Sequence, residues 1–380
     1  MLNNSKEPIR VLHVIGAMNV GGAETMIMDL YRKINRKKVQ FDFLVHTDER
    51  CAYDSEIESL GGRIFRMTRL RGYNSFSYYR KCLSFFRQHP EISVVHGHIG
   101  SSASIYLYAA KKTRKYTIAH SHSAVGITNL HDFFYKIFAF PTRYIADSLF
   151  GCSTEAGIAR YGKRMITKKK YMNFHNAIEV QDYFYNSQTR RMIRDEFGLK
   201  EEEIVIGTVG RMTKAKNPRF IIRVFDGIVQ KGGKCLWIGT GELFDECKGM
   251  VHDKNLSQSV IMTGRRSDVP AILQAFDGFI LPSLWEGLPM VAIEAQAAGL
   301  PCLISESVSH ETAITDLVRW KSISDSPQDW SNEILSMAKE HKNDRSSPID
   351  QIRKAGYDIE DTAKWLSDFY IQNANNSQVR

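Results

Sequence analysis

Two acidic side chains, Glu286 and Glu294, lie eight positions apart in the segment PSLWEGLPMVAIEAQAAGLP (282–301). Gly287 and Pro289 between them predict a turn and then a helix, because proline is tolerated at the first helical position. Glu294 then falls inside a helix that has almost no other charge, where a buried carboxylate needs a hydrogen-bonding partner. Either both acids are exposed, or Glu294 binds the hydroxyl groups of a ligand.

A basic loop, GRMTKAKNPRF (210–220), forms the second candidate site. Arg211 and Lys216 lie five positions apart in it, and Asn217 and Pro218 predict the N-cap and the first residue of a helix. Two cations beside the N-terminus of a helix attract a diphosphate, because the side chains and the helix dipole both favour negative charge. We therefore predict a phosphate site here, with a solvated basic loop as the alternative.

Histidines and glycines near two predicted strand ends give weaker signals. His120 and His122 follow a predicted strand within AHSHS (119–123). They could contact a substrate hydroxyl or phosphate, bind a metal, or be ordinary loop residues, and no third metal ligand is evident nearby in sequence. Gly21 and Gly22 precede a predicted helix and could bring backbone N–H groups close to an anion, or could simply form a tight turn.

Three other glycine-containing loops refine the class of ligand. Gly16, with the two glycines that follow it five and six positions later, does not fit the GxGxxG fingerprint, which disfavours a nicotinamide enzyme. The turn GTGE (239–242) contains Gly241 and follows a predicted strand. Arg265 lies in the loop TGRRSDVPAIL (263–273), whose backbone could flank a flat base.

Short β-branched runs alternate with amphipathic segments, which is typical of parallel sheets covered by helices on both faces. The predicted strands are 10–15, 41–45, 64–67, 94–96, 116–119, 144–146, 204–209, 234–238, 259–262 and 279–281. The predicted helices include 23–34, 54–60, 76–88, 100–112, 217–231, 242–254, 268–275, 289–298 and 359–373. A charged break at 189–203 separates two such series. The predicted fold class is therefore α/β with two doubly wound domains, and nucleotides bind at the carboxyl ends of such strands.

Composition narrows the cellular setting. The chain has 380 residues, 43% of them hydrophobic, yet no apolar run approaches the ~20 residues that span a bilayer. The first apolar segment predicts a strand and not a signal peptide. The six cysteines are scattered without a CxxC pair, which predicts free and mostly buried thiols in a reducing cytoplasm.

Positive charge is concentrated in the first half of the chain. Residues 1–183 carry 27 Lys/Arg against 15 Asp/Glu, and the remainder carries 24 against 27. Basic clusters at 66–73, 111–116 and 161–171, and an aromatic and basic segment at 129–144, favour attraction to anionic lipid headgroups or to a phosphate-bearing acceptor. The alternatives are solvated surface and an ordinary core helix. No nucleic-acid-binding motif is present, so no nucleic-acid partner is predicted.

Taken together, the segments GGAE (21–24), NAIE (176–179), GRMTKAKNP (210–218) and the pair Glu286-x7-Glu294 resemble family 4 of the GT-B glycosyltransferases. The most similar branch is that of the bacterial capsular and exopolysaccharide enzymes, where a loop like AHSHS also occurs. One departure is NAIE, where the family more often has Asn-Gly-Ile/Val-Asp.

This resemblance implies a retaining transferase that uses a UDP-sugar in a cleft between two Rossmann-like domains. It implies an acceptor-binding domain at 1–183, a nucleotide-sugar domain at 184–356, and a helix at 357–380 that crosses back to the first domain. The implied catalytic residues are His120, Arg211, Lys216 and Glu286. The implied donor-binding residues are Gly21, Gly22, Gly210, Arg211, Lys216, Gly241, Arg265, Glu286, Gly287, Leu288 and Glu294, and those on the acceptor side are His122 and Asn176.

Within that scheme Arg211 and Lys216 would neutralise the diphosphate, Glu294 would accept hydrogen bonds from the ribose, and His120 would lie beside the transferred sugar. No two aspartates lie two positions apart, so the Asp-x-Asp metal site of many sugar transferases is absent from the sequence. We therefore expect no metal and no cofactor, and same-face attack in which the departing phosphate takes the acceptor proton.

The expected acceptor is a lipid-linked saccharide, and the expected location is the cytoplasm, with peripheral attachment to the inner face of the plasma membrane as a hypothesis. Three other functions remain open at this point. One is a UDP-sugar 2-epimerase of the same fold, and another is a PLP-dependent phosphorylase, for which no lysine has a distinctive context. The third is a non-catalytic partner subunit that binds a nucleotide sugar.

Overall fold

A computed structural model describes residues 7–122, 137–342 and 345–378 of the chain. The chain divides into two compact units. The first unit combines Met1–Ala177 with Ile359–Arg380, and the second is Ile178–Asp358. The predicted domain boundaries, after residues 183 and 356, lie six residues after the first division and two residues before the second.

The described part of the first unit forms a seven-stranded sheet in which every pairing is parallel. Its strands are β1 Ile9–Ile15, β2 Val39–Val45, β3 Ile64–Arg66, β4 Ile92–Gly97, β5 Tyr116–Ser121, β6 Ser148–Gly151 and β7 Tyr171–Asn173. Their order is β3-β2-β1-β4-β5-β6-β7. The order reverses between β1 and β4, which makes the carboxyl ends of these two strands the expected ligand crevice of this unit.

Helices cover both faces of this sheet and enclose two apolar cores. They are Gly22–Lys33, Asp54–Ser59, Ser75–Gln88, Ala103–Lys112, Thr142–Ile145, Thr154–Tyr161, Lys163–Ile166 and Ile359–Gln378. The strands β1 and β2 are rich in Val, Ile, Leu and Phe because both of their faces are buried. The last helix joins the core of the first unit through Leu366 and Tyr370, both completely buried.

The described part of the second unit repeats this plan with six parallel strands. They are β8 Val205–Val209, β9 Lys234–Ile238, β10 Val260–Gly264, β11 Gly278–Leu281, β12 Cys302–Ser305 and β13 Val318–Lys321, in the order β10-β9-β8-β11-β12-β13. The α-helices are Ser187–Glu196, Pro218–Val229, Phe244–Asp253, Val269–Ala275, Met290–Ala297, Pro327–Glu340 and Ile349–Lys354. Short 3-10 helices are Val180–Tyr183, Lys214–Lys216 and His310–Thr312.

Two of the sequence predictions about these elements are wrong. The strand predicted at 144–146 is instead the end of the helix Thr142–Ile145, which begins after Pro141, and the strand follows at Ser148–Gly151. The charged break at 189–203 does not separate the two units, because it overlaps the helix Ser187–Glu196 and lies within the second unit. Its Arg190 and Arg194 are buried because both form ion pairs with Asp277, at 2.8 and 2.7 Å.

Two predictions from composition can be compared directly with the described residues. All six cysteines are free thiols, and five of them are buried. Within the described ranges no helix has both the length and the apolar character that are needed to cross a membrane.

Candidate active site

The strand order of the second unit reverses between β8 and β11, so the loops that follow these two strands border the expected ligand crevice. Backbone hydrogen bonds join these loops to one another and to the loop after β9. Met212 donates to the carbonyl of Thr240 at 2.9 Å, and Leu284 donates to the carbonyl of Ala215 at 2.8 Å. The basic loop and the first acidic residue of the E-x7-E pair are therefore held at one edge of the sheet.

Glycines permit this close packing of loops. Gly239 has a φ of +138°, and a Cβ there would collide with the carbonyl oxygen of Gly210. A Cβ on Gly241 would lie 2.6 Å from the carbonyl oxygen of Met212. The glycines of the turn GTGE thus have a steric reason to be glycine that is independent of any ligand.

Lys216 and Glu286 meet at this edge. The Lys216 ammonium lies 2.5 Å from the Glu286 carboxylate, and both side chains are mostly shielded from water. Ser283 donates a second hydrogen bond to the same carboxylate oxygen at 2.8 Å. The pair joins the loop after β8 to the loop after β11, so Lys216 reaches the crevice with its charge partly compensated by Glu286.

Arg211 differs from Lys216, because its side chain is exposed and forms no ion pair with any residue that the structure describes. The helix Pro218–Val229 begins in the same loop after Asn217, which has the left-handed conformation with a φ of 56°. The prediction that Asn217 occupies the N-cap position is confirmed, but its side chain does not cap the described amides of this helix. An anion at this point would meet the exposed Arg211 guanidinium, the Lys216 ammonium and the positive end of a helix dipole.

Glu294 lies on the helix Met290–Ala297 and is partly buried. Burial raises the pKa of its carboxyl group to about 7, although a hydrogen bond with the Tyr183 side chain acts in the opposite direction. Tyr183 ends the 3-10 helix Val180–Tyr183 and is the partner that the sequence did not reveal. A carboxylate that is poorly hydrated is well suited to accept hydrogen bonds from ligand hydroxyls.

The remaining predicted donor-binding residues of this unit occupy different settings. Gly287 is exposed, whereas Leu288 packs against the apolar core. Arg265 is exposed in the loop that follows β10. The loop after β11 also presents Trp285 with 55% of its surface exposed, and sequence reasoning did not single out this residue.

In the first unit, the predicted phosphate loop has mixed character. Gly21 is the N-cap of the helix Gly22–Lys33, and a Cβ on Gly21 would collide with the carboxylate of Glu24. Gly22 is exposed, and nothing lies within 4 Å of the position where its Cβ would be. The backbone at Gly22 is therefore open to a ligand, whereas the Glu24 carboxylate already lies at the positive end of this helix.

His120 and His122 belong to a larger cluster that the sequence analysis missed. His13 on β1 is in register with His96 on β4, and β5 lies beside β4. Because side chains alternate between the two faces of a strand, residues two apart share a face. Five imidazoles therefore lie together at the carboxyl ends of three neighbouring strands: His13, His96, His98, His120 and His122.

The spacing HGH (96–98) and HSH (120–122) at two strand ends was the signal that could have revealed this cluster. A third nitrogen that was not evident nearby in sequence is close in space, because nitrogen atoms of His98, His120 and His122 lie within 4.8 Å of one another. Burial lowers the pKa of His120 well below its usual value, and the neighbouring His122 lowers it further. The imidazole of His120 is therefore neutral at physiological pH.

Asn176 lies at the end of the first segment of the first unit, and its side-chain oxygen is buried without a partner among the described residues. Of the predicted site residues, Lys216 and Glu286 are in contact at the β8/β11 edge of the second unit, and His120 and His122 lie together at the β4/β5 edge of the first.

Comparison with known proteins identifies the family. Residues 189–355 match the family described as "Glycosyl transferases group 1", and residues 20–154 match "Glycosyltransferase Family 4". A Bacillus subtilis protein named as a glycosyltransferase, EpsF, is 31% identical over 97% of each chain. A Staphylococcus aureus capsular polysaccharide biosynthesis glycosyltransferase, CapH, is 24% identical over 96% of this chain and 99% of its own.

One further relative matches only a part of this chain, and a solved structure shares its fold. An Escherichia coli UDP-Gal:alpha-D-GlcNAc-diphosphoundecaprenol alpha-1,3-galactosyltransferase is 39% identical over 28% of this chain and 29% of its own. The structure of Anabaena Alr3699/HepE in complex with UDP has a TM-score of 0.75 and 14% identity, and covers 95% of this chain and 99% of its own. The predicted fold class, two Rossmann-like domains of the GT-B type, is confirmed.

The chain therefore belongs to the group 1 glycosyltransferases of the GT-B fold, and its relatives include enzymes of capsular polysaccharide biosynthesis.

Proposed function

We propose that this glycosyltransferase moves a sugar from a UDP-sugar to a lipid-linked saccharide in capsule or exopolysaccharide synthesis, with retention of configuration and without a metal. The observation that carries the proposal is the group of Arg211, Lys216 and the start of the helix Pro218–Val229 at the β8/β11 edge. The related E. coli enzyme, whose name specifies UDP-Gal and a diphosphoundecaprenol acceptor, supports both the donor and the acceptor class.

Expulsion of a nucleoside diphosphate develops negative charge that must be stabilised in the transition state. Arg211 is exposed and has no ion pair among the described residues, so its full charge is available to the diphosphate. Lys216 can divide its hydrogen bonds between Glu286 and a phosphate oxygen, since an ammonium has three donors. These groups supply in side-chain form the positive charge that a divalent ion supplies in enzymes with an Asp-x-Asp site.

Glu294 is proposed to bind the ribose. Its ionised carboxylate accepts two hydroxyl hydrogen bonds, which replace the hydration that it lacks in its partly buried position. Glu286 has one oxygen already engaged by Ser283 and Lys216, so its second oxygen is suited to a hydroxyl of the donor sugar.

Retention is the proposed stereochemical outcome, because UDP-galactose is an α-linked donor and the E. coli relative is named for an α-linked product. In our scheme the acceptor hydroxyl attacks the face from which the diphosphate departs. The C1–O bond to the phosphate breaks, the new glycosidic bond forms, and the acceptor proton passes to the departing phosphate oxygen. His120 is proposed to contact the reacting sugar through its ring nitrogen.

Attachment to an anionic membrane surface is proposed for the first unit. The segment predicted to contribute, 129–144, lies outside the described residues up to position 136. The described remainder presents Phe140 and Tyr144 with 50% and 66% of their surfaces exposed, and Arg143 lies 4.0 Å from the Phe140 ring centroid. Phe76, which is 74% exposed, lies on the helix Ser75–Gln88 and is accompanied by Arg80. Aromatic rings beside cations favour the headgroup region of a membrane.

One assay tests the transfer. The protein is incubated with UDP-glucose, UDP-galactose or UDP-GlcNAc, a lipid-diphosphate-linked GlcNAc acceptor and excess EDTA. The expected result is a lipid-linked disaccharide whose new linkage is α by NMR. An inverted linkage, a requirement for metal, or an epimerised nucleotide sugar formed without acceptor would each contradict the proposal.

Sedimentation with vesicles tests the attachment. We expect the protein to bind vesicles that contain anionic phospholipid at low salt and to bind zwitterionic vesicles less. The double substitution Phe76→Ser and Tyr144→Ser should weaken binding. Met192→Ser, at an exposed position of the second unit, is the matched control and should bind like the unmodified protein. Trp320→Ser is unsuitable as a control, because Trp320 is partly buried and its loss would disturb packing. Equal binding to both vesicle types, or to neither, would contradict the attachment.

A further inference from the structure

The histidine cluster of the first unit contains a hydrogen-bonded chain that ends at His120. The Tyr370 hydroxyl lies 2.6 Å from Nδ1 of His96, and Nε2 of His96 lies 3.2 Å from Nδ1 of His120. All three side chains are almost completely buried, with exposures of 0%, 1% and 0%. Nε2 of His120 is also buried, and no described residue offers it a partner.

The direction of donation along this chain follows from counting partners. The Tyr370 hydroxyl has one hydrogen-bonding partner among the described residues, which is His96. If the hydroxyl donates, Nδ1 of His96 is the acceptor and Nε2 of His96 carries the proton. That proton is donated to Nδ1 of His120, and the proton of His120 is then on Nε2. The reverse direction leaves the buried Tyr370 O–H without an acceptor, which is the less favourable arrangement.

Tyr370 and His96 both keep the protonation states that this direction requires. Burial raises the pKa of Tyr370 well above its usual value, so the hydroxyl keeps its proton. Burial also lowers the pKa of His96 well below its usual value, so the ring carries one proton and not two. A neutral imidazole that accepts at one nitrogen must donate from the other.

We propose that Tyr370 and His96 are positioning residues that fix His120 as its Nε2–H tautomer, so that His120 presents a hydrogen-bond donor to a hydroxyl or phosphate oxygen of the substrate. The catalytic consequence rests on the function proposed above, whereas the tautomer itself does not. The C-terminal helix Ile359–Gln378 contributes to this control through Tyr370, because that residue begins the chain of hydrogen bonds.

A metal centre is the competing interpretation of the same cluster. Two trios of nitrogens, one from His13, His96 and His98 and one from His98, His120 and His122, are close enough to hold an ion. Several of these nitrogens, however, are already paired with one another. Nδ1 of His13 lies 3.0 Å from Nε2 of His98, and Nδ1 of His98 lies 2.7 Å from Nε2 of His122. Arg160 also contributes positive charge near His120, which opposes a cation there.

The experiment is NMR of the full-length protein labelled with 15N-histidine, with the His120 signals assigned by their loss in His120→Gln. We expect His120 Nε2 to give the signal of a protonated nitrogen and Nδ1 that of an unprotonated one. Tyr370→Phe removes the hydroxyl that donates to Nδ1 of His96, so both His120 signals should move toward the average of the two tautomers. The kcat for transfer should fall by about 2- to 10-fold with the KM for the UDP-sugar unchanged, because a donor used in the transition state is less populated.

Tyr31→Phe is the matched control. Tyr31 is also completely buried in the first unit, and its hydroxyl donates to the Leu60 carbonyl and not to a histidine. This substitution should leave the His120 signals and kcat unchanged. A proton on Nδ1 of His120 in the unmodified protein, or unchanged signals in Tyr370→Phe, would overturn the proposal. A metal-bound nitrogen signal that disappears with EDTA would overturn it in favour of the metal centre.

The unmodified protein alone decides the tautomer, so the test survives if the variant fails to fold. If the tautomer is as expected but no sugar transfer is found with any donor, the proposed function fails and the hydrogen-bonded chain stands.

Discussion

The affinity of this enzyme for a UDP-sugar should depend on pH through Glu294. Burial raises the pKa of this carboxyl group from 4.5 to about 7. The proposed ribose contact needs the ionised form, which accepts two hydroxyl hydrogen bonds. Donor binding must therefore expel the Glu294 proton whenever the pH is below about 7.

The magnitude follows from the ionised fraction. One pH unit below the pKa about one carboxyl in ten is ionised, and one unit above it about nine in ten are. The Kd for a UDP-sugar should therefore be about 10-fold weaker at about pH 6 than at about pH 8. A UDP-sugar is the right ligand, because its diphosphate is esterified at both ends and does not titrate in this range.

Isothermal titration calorimetry measures this dependence. Glu294→Gln should bind more weakly at about pH 8 and should show no pH dependence. Glu246→Gln is the control, since Glu246 is an exposed acid of the same unit whose pKa its partner Arg219 holds below the usual range. It should reproduce the unmodified profile. A flat profile for the unmodified protein, or a sloping one for Glu294→Gln, would refute the role of Glu294.

The same pKa has a consequence for stability with a definite sign. A group whose folded pKa is raised stabilises the fold below its unfolded pKa, near 4.5, and this contribution is lost as the pH rises through about 7. The difference between the two pKa values corresponds to about 3 kcal/mol. Glu294→Gln should therefore gain in free energy of unfolding relative to the unmodified protein between about pH 5 and about pH 8. A constant difference in denaturant titrations across this range would contradict the assignment.

Three further substitutions probe the second unit. Arg211→Ala should lower kcat by about 100-fold, since in the proposed mechanism the charge of Arg211 stabilises the leaving group. Arg219→Ala, at an exposed position eight residues further on, should change kcat less than about 2-fold. Similar rates for the two variants would contradict the proposed role of Arg211. Gly239→Ala should lower the free energy of unfolding by about 2–5 kcal/mol, because the new Cβ collides with the backbone at a positive φ. Gly232→Ala, also at a positive φ but in open space, should lower it by about 1 kcal/mol. Equal losses in urea titrations would show that the loop contact is unimportant. Tyr183→Phe should move the midpoint of the pH-dependent donor affinity upward, because its hydrogen bond lowers the Glu294 pKa; an unchanged midpoint would count against that bond.

The sequence predicted the buried strands well, because parallel strands covered on both faces are continuous apolar runs between turn residues. The strands that it missed are short, with three or four residues each. Tyr171–Asn173 and Val318–Lys321 form the last strands of their sheets and contain polar residues, and Cys302–Ser305 directly follows a proline. None of these three was predicted.

The sequence revealed candidate site residues where the groups involved lie close together along the chain. Arg211, Lys216 and the helix start are close together in sequence, and so is the E-x7-E pair. Partners that come from distant segments were not visible. Tyr183 reaches Glu294 from more than a hundred positions away, and Tyr370 is separated from His96 by 274 residues. Such contacts depend on the topology of the sheet, which the local pattern does not specify.

The most direct test of the central claim is the rate of sugar transfer in excess EDTA, measured for the unmodified protein and for the double substitution Arg211→Gln and Lys216→Gln. We predict that the chelator leaves the unmodified rate intact and that the double substitution reduces it by at least about 100-fold. Loss of the unmodified rate in EDTA with recovery on addition of Mg²⁺, or a double variant that retains its rate, would contradict the claim that side-chain cations stabilise the departing diphosphate.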